Sequence, residues 1–378
     1  MKYATKLLHT GNEIDEQTGA LSVPIYQAST FKQDDVDNPP QYDYSRSGNP
    51  TRAALENAMA VLENGTNAYA FSSGMAAISA VLSLLKAGDH VIAAQDIYGG
   101  TYRALTRHFF KYNIDVSFVD ATDINKIEEA IRPNSRMLVL ETPSNPLLKI
   151  TDLRACAQLA KKHNIITVVD NTFMSPYLQR PLELGIDVVV HSATKFIGGH
   201  SDVLGGIVAV KDKNLAKHIY FIQNTMGAVL NPHDCWLLLR GIKTLKVRLD
   251  AEQQGAMYLA QWLKKQDFVK RVYYPGLEEH PGHSLHFRQA YGAGAVLSFE
   301  AKGVATAKKI AANVKLFFTA VSLGGVESIL SYPVKMSHAS IPQEERKKLG
   351  ITDELLRLSI GLEDPEDLAM DILNAVKQ

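Results

Sequence analysis

Two short apolar runs decide the fold: Ile165-Ile-Thr-Val-Val-Asp170 and Asp187-Val-Val-Val-His191, the second leading into Ser192-Ala-Thr-Lys195-Phe-Ile-Gly-Gly-His200. Neither run alternates apolar with polar residues, so neither suits a strand with one wet face. They read instead as strands buried on both faces of a parallel sheet. The pattern repeats upstream at Asn67–Phe71, His90–Ala94, Asp115–Asp120 and Met137–Glu141. Between these runs, apolar residues recur at helical spacing: Arg52 to Leu62, Met75 to Leu85, Thr101 to Phe110, Ile124 to Ile131 and Leu153 to His163. Alternating strand and helix predicts an α/β fold with a mostly parallel sheet covered on both sides.

The texture changes at both ends. Residues 1–50 are polar, rich in Gln, Asp and Pro, and weakly patterned, which predicts an extended arm. Residues 51–240 make the large domain. Residues 241–378 carry a charged helical stretch from Thr244 to Lys265 and short strands at Ala295–Glu300, Val326–Leu330 and Leu355–Ile360, predicting a smaller α+β domain. No internal repeat or low-complexity segment interrupts them.

Composition narrows the function classes. The 378 residues include 40 Lys+Arg and 40 Asp+Glu, so the formal charge is zero and no basic footprint for nucleic acid is expected. Hydrophobic residues at 46% are far above a disordered composition. No apolar run nears the roughly 18–20 residues of a membrane span, and the first residues lack an apolar signal core, so a cytoplasmic enzyme is expected. The two cysteines, Cys156 and Cys235, give no disulfide framework, and Cys156 lies among helically spaced apolar residues, as a core cysteine would.

In open α/β sheets, ligands bind beyond the carboxyl ends of the strands. After Phe71 comes Ser72-Ser73-Gly74-Met75-Ala76, a small-residue helix start suited to a phosphate. Asp170 ends one buried strand, where a carboxylate is costly without a cationic partner. Lys195 follows the next strand, flanked by Ser192, Thr194 and glycines, and a partly desolvated Lys can act as a nucleophile or imine former. Asp170 and Lys195 are 25 residues apart, about one β-α-β step. An anion-binding helix start, a strand-end Asp and a Lys in this order suggest a pyridoxal-phosphate site: the Lys holds the aldehyde, and the Asp keeps the pyridine nitrogen protonated.

At these residues the sequence closely resembles the Cys/Met-metabolism family of pyridoxal-phosphate enzymes. Its signature is similar to Asp170-Asn-Thr-Phe173 and Asp187 through His200. Further matches are Tyr42 to Arg52, Ser72 to Ala77, Tyr98-Gly-Gly-Thr101, Glu141-Thr-Pro-Ser-Asn-Pro146, Ser322 to Ser328 and Leu356 to Glu363, so the resemblance spans essentially the whole chain. Phe196 stands where the family commonly has tyrosine. The resemblance implies a fold-type I architecture and assigns roles. Lys195 holds the cofactor and shuttles protons, and Asp170 pairs with the ring nitrogen. Gly74, Met75, Ser192 and Thr194 hold the phosphate. Tyr98 stacks on the ring and assists deprotonation of the incoming amine, while Asn145 lies by the phenolic oxygen and the substrate. Arg357 clamps the α-carboxylate, and Glu327 and Ser328 meet the rest of the substrate. Tyr44 and Arg46 reach a neighbouring subunit's phosphate, in a homotetramer built as a dimer of dimers. No metal ligand is implied.

The same resemblance bears on the substrate. Gly100 stands where methionine-cleaving members carry cysteine, and Glu327 where γ-active members meet the distal amino group of cystathionine. Val326-Glu327-Ser328 lacks the large aromatic of one bacterial β-lyase branch. These features imply γ-elimination of L-cystathionine to L-cysteine, 2-oxobutanoate and ammonia, with side β-elimination that releases hydrogen sulfide from cysteine. The alternatives within the family are cystathionine β-lyase and cystathionine γ-synthase, which joins an O-acyl-homoserine to cysteine. Two other classes compete. His280, His283 and His286 have the composition of a metal hydrolase site, but Pro281-Gly282 breaks the helix that would set ligand spacing. A nucleotide-binding module at Ser72–Met75 would need the Gly-x-x-x-x-Gly-Lys-Ser/Thr pattern, which the chain lacks.

Overall fold

The computed structural model describes residues 1–11, 14–339 and 342–378. Seven strands form the larger sheet: β1 (Asn67–Phe71), β2 (His90–Ala94), β3 (Asp115–Val119), β4 (Ser135–Glu141), β5 (Ile166–Asp170), β6 (Val188–Ser192) and β7 (Gly206–Val210). Their order across the sheet is β1-β7-β6-β5-β4-β2-β3. All neighbours run parallel except β7, which is antiparallel to both β1 and β6.

The continuous apolar character of these strands has a simple cause. Consecutive side chains point to opposite faces, and both faces are buried in every strand but the edge strand β3, which is only partly covered. Phe71, Val91, Val139, Val168, Val190 and Val208 join one core. Their neighbours Ala70, Ile92, Leu140, Val169, Val189 and Ile207 join another. The helices Gly74–Leu82 and Lys213–Met226 contact the sheet at β1 and β7. The helices Pro50–Leu62, against β1 and β7, and Leu153–Lys162, against β5, complete the covering. Cys156 is buried on the latter helix, where burial lifts its thiol pKa to about 12.

A second sheet holds β8 (Val269–Tyr273), β9 (Val296–Ala301), β10 (Phe318–Thr319), β11 (Ile329–Ser331) and β12 (Leu355–Ser359), in the order β10-β11-β12-β9-β8. It is antiparallel apart from the β10–β11 pair. The helices Leu245–Leu263, Val304–Asn313 and Pro365–Lys377 pack over it through Leu259, Ile310 and Ile372. Among the described residues, no helix is long and apolar enough to cross a membrane.

Three local readings change. The helix expected over Thr101–Phe110 is broken into an α turn at Gly99–Arg103, a π turn at Ala104–His108 and a 3-10 turn at Phe109–Tyr112. The rings of His108, Phe109 and Tyr112 pack edge-on there, and β-branched or aromatic residues favour α-helix less than straight chains do. The strand expected at Val326–Leu330 begins at Ile329 instead, because the Val326 and Ser328 N–H groups donate to Gly199 O and Glu363 Oε1 rather than to a ladder. The N-terminal arm contains a helix, Tyr3–His9, pinned by buried Leu7 and by Tyr3, whose ring, like that of Tyr291, stacks on Arg180.

Candidate active site

The carboxyl ends of four strands of the large sheet open into one cavity of about 450 Å3. After β1, Ser73 caps the helix Gly74–Leu82 by accepting the Ala76 N–H at 3.1 Å. The N–H groups of Gly74 and Met75 fall in the first turn, ahead of the helix's own hydrogen bonds. This helix start sits directly on β6: a Cβ at Gly74 would lie 2.8 Å from the Ser192 Cβ. Ser192, Thr194 and Lys195 line the same cavity, as do Tyr98, Asn145, Asp170 and Arg357.

Asp170 at the end of β5 accepts the Thr172 hydroxyl at 2.5 Å and the Thr172 N–H at 3.1 Å. The Thr172 oxygen in turn accepts the Ser192 N–H at 2.8 Å, tying β5 to β6. Desolvation raises the Asp170 pKa, against the pull of those hydrogen bonds and the His191 charge. Its register neighbour on β4 is Glu141. Burial, and then the Asp170 charge, hold the Glu141 carboxyl well above the usual carboxylate range. Two carboxyls side by side in a buried wall resist being ionised together, so a cationic group placed against Asp170 would favour its charged form.

Lys195 Nζ donates to Ser322 Oγ at 2.5 Å. Desolvation, and secondarily the Arg357 charge, lower its pKa to about 8, which brings the neutral amine within physiological reach. The turn bearing Lys195 is held from behind by Arg248, whose Nη2 donates to Phe196 O at 2.8 Å and Gly241 O at 3.0 Å. The guanidinium lies flat against Gly199, where φ is +75° and a Cβ would meet it at 2.3 Å. Only glycine fits there, which accounts for that part of the Gly198-Gly199 pair.

Arg357 sits mid-strand on β12 and is 2% exposed. Its Nη1 donates to Asn145 Oδ1 at 3.0 Å, and its Nη2 to Ser322 O at 2.7 Å and Ser331 Oγ at 3.1 Å. Its Nε has no hydrogen-bond partner. A buried, under-satisfied guanidinium facing a cavity is chemically suited to receive a carboxylate.

A profile of the Cys/Met metabolism PLP-dependent enzyme family matches residues 4–377. The chain belongs to this family. It is 56% identical over 374 residues to cystathionine beta-lyase MetC of Bacillus subtilis strain 168, covering 99% of this chain and 96% of that one. It is 51% identical over 377 residues to cystathionine gamma-lyase of the same organism, covering all of both. The crystal structure of cystathionine gamma-lyase from Lactobacillus plantarum complexed with L-serine superposes with a TM-score of 0.98 at 44% identity, covering 100% of this chain and 99% of the other. The protein is therefore a pyridoxal-phosphate-dependent enzyme of the Cys/Met-metabolism family, with carbon–sulfur lyases among its high-identity relatives.

The residues present suit that cofactor. First-turn N–H groups and two hydroxyls answer a phosphate, a desolvated carboxylate answers a pyridinium, and a lysine of lowered pKa answers an aldehyde. Four expected residues stand elsewhere. Glu327 lies not on the cavity wall but in an adjoining cleft of about 610 Å3, with Asp202; the two spaces share Thr194, Leu204, Val321, Ser322 and Leu323. Ser328 is not brought to the cavity: it is fully buried, and its N–H and hydroxyl both donate to Glu363 at 2.7 Å. Tyr44 and Arg46 are exposed outside this chain's cavity, with the guanidinium 5.5 Å from the Tyr44 ring centre. The three histidines are tied to backbone carbonyls, His280 to Leu148 O, His283 to Pro275 O and His286 to Gly292 O.

Sequence reasoning missed Glu141, Thr172, Ser322 and Ser331. Glu141 carried the same signal as Asp170, a carboxylate ending an apolar strand. Ser322 carried none, since only tertiary contact brings its hydroxyl to Lys195 and its carbonyl to Arg357.

Proposed function

We propose that the enzyme cleaves L-cystathionine by γ-elimination, giving L-cysteine, 2-oxobutanoate and ammonia, with β-elimination as a side reaction. The observation that supports cystathionine as the substrate is the acidic cleft of Glu327 and Asp202 opening off the Arg357 cavity; the γ direction rests on the resemblance at Gly100 and Glu327. A substrate whose α-carboxylate meets Arg357 can extend a distal ammonium toward those carboxylates, and cystathionine carries an α-carboxylate and an ammonium at each of its two ends.

Bound in the cavity, pyridoxal phosphate supplies an electron sink for charge developing at the substrate Cα. Gly74, Met75, Ser192 and Thr194 hold its phosphate, Asp170 its ring nitrogen, Tyr98 its ring face and Lys195 its aldehyde carbon. The Arg357 guanidinium fixes the substrate carboxylate, and Asn145 holds that guanidinium in place. Lys195 Nζ would take the proton from the substrate Cα and hand it on. γ-Elimination requires a second proton loss, at Cβ, before the thiolate leaves Cγ, so the same amine must reach two adjacent carbons. Ser322 Oγ, 2.5 Å from Nζ, supports the amine over that path.

β-Elimination, giving pyruvate, homocysteine and ammonia, is the second reading, favoured by the 56% identity to a β-lyase. Product analysis separates them. Incubation with L-cystathionine yields chiefly 2-oxobutanoate on the first reading; chiefly pyruvate transfers the assignment to the second. Faster turnover of an O-acyl-homoserine with cysteine makes the enzyme a synthase.

The arm has a role on this reading. Tyr44 and Arg46, exposed on a segment that leaves its own cavity, complete the phosphate site of a second copy in a tetramer. R46A would then weaken cofactor binding, and mixing it with K195A would restore part of the activity through hybrid sites. Full cofactor affinity in R46A would contradict this arrangement.

A further inference from the structure

Glu141 is the one buried acid in the cavity wall for which the roles above have no use. It ends β4, is 5% exposed, and stands in register beside Asp170. Its two carboxylate oxygens are divided between two distant stretches of backbone: Oε2 accepts the Tyr98 N–H at 2.9 Å, and Oε1 accepts the Asn145 N–H at 3.1 Å. We infer that Glu141 is a positioning residue that brackets Tyr98 and Asn145, fixing the ring-stacking side chain and the partner of Arg357 at a set separation.

Both ends of the bracket need it. Tyr98 precedes a helix of only five residues that runs on into a π turn, and its side chain is 38% exposed, so neither regular structure nor packing fixes it fully. Asn145 carries the Oδ1 that receives Arg357 Nη1, so a shift of its backbone moves the carboxylate receptor. A carboxylate suits the position because both neighbours are donors, and it presents acceptors on both sides. Glutamine has the same shape but turns an NH2 toward one of the two N–H groups. The cost of burying a carboxyl beside Asp170 is consistent with a group kept for geometry rather than stability.

The inference rests on the roles proposed for Tyr98 and Asn145. E141Q and E141D are compared with wild type as holoenzymes. Three readouts apply: visible circular dichroism of the bound cofactor, the pyridoxal-phosphate dissociation constant, and kcat and KM for L-cystathionine. E141Q is expected to lose half or more of the cofactor dichroism and to raise KM roughly tenfold, as loss of one buried hydrogen bond would. E141D, which keeps both acceptors on a shorter stem, is expected to fall between. Wild-type dichroism and KM in either folded variant, with only a lowered melting temperature, would overturn the inference by making Glu141 merely structural. The dichroism needs no substrate, so it stands even if cystathionine proves to be the wrong one.

Discussion

The two sheets furnish the cavity in different ways. The large sheet gives residues from strand ends and the few positions after them: Asp170 from β5, Ser192 to Lys195 from β6, and Gly74 and Met75 after β1. The small sheet gives Arg357 from the middle of β12, held by Ser331 on β11 and by Ser322 and Asn145 from loops. The first half is assembled locally, from short stretches that carry their own geometry. The second exists only when distant parts of the chain meet. On the roles proposed above the division also follows chemistry: the large-sheet half would face the cofactor, and the small-sheet half the part of the substrate that does not react.

This contrast can be broken at several points. K195A should cost the most, about 10^4-fold in kcat, because it removes both the group that holds the cofactor and the base that moves protons. Steady-state rates on the cofactor-saturated variant check it. D170N follows at about 10^2- to 10^3-fold in kcat, the scale for losing a preorganised charge. R357A tests the other half. It should raise KM by about 10^2-fold with a smaller change in kcat, since the carboxylate clamp acts on ground and transition states alike. A kcat collapse with unchanged KM would erase the proposed division of labour.

Two smaller effects sharpen it. Lys195 has its pKa lowered to about 8, and only the neutral amine attacks an aldehyde. Capture of pyridoxal phosphate by the apoprotein should therefore speed up roughly tenfold per pH unit below about 8 and level off above it. In stopped-flow absorbance, a flat profile from pH 6 to 9 would contradict the desolvation of Lys195. G100A should cost only a few-fold in kcat/KM, because a Cβ there would meet the Tyr98 ring at 2.5 Å and the Met75 sulfur at 2.6 Å, and both side chains can give way. A crystal structure of the variant with a displaced Tyr98 ring checks the cause.

Legibility in the sequence follows the same contrast. The strands of the large sheet read correctly where both faces are buried, since continuous Val, Ile and Ala runs leave little choice. β7 was not among the expected strands; it begins at Gly206, where a Cβ would meet Ser73 O at 2.1 Å, and a glycine opening a strand carries little strand signal. Asp170 and Lys195 were readable because a charged residue ending a buried strand needs a reason. Ser322 and Ser331 were not, because a serine in a loop or short strand has no pattern of its own. Arg357 and Glu327 came from resemblance, and Ser328, assigned the same way, belongs to an internal bond with Glu363.

The attachment point of the cofactor decides whether this cavity is the active site. The purified enzyme, loaded with pyridoxal phosphate, is reduced with borohydride, digested and mapped by mass spectrometry. We predict a yellow protein that bleaches on reduction and a single pyridoxyl-phosphate adduct on the peptide carrying Lys195. A protein that stays colourless with added cofactor, or an adduct at any other lysine, would contradict the site described.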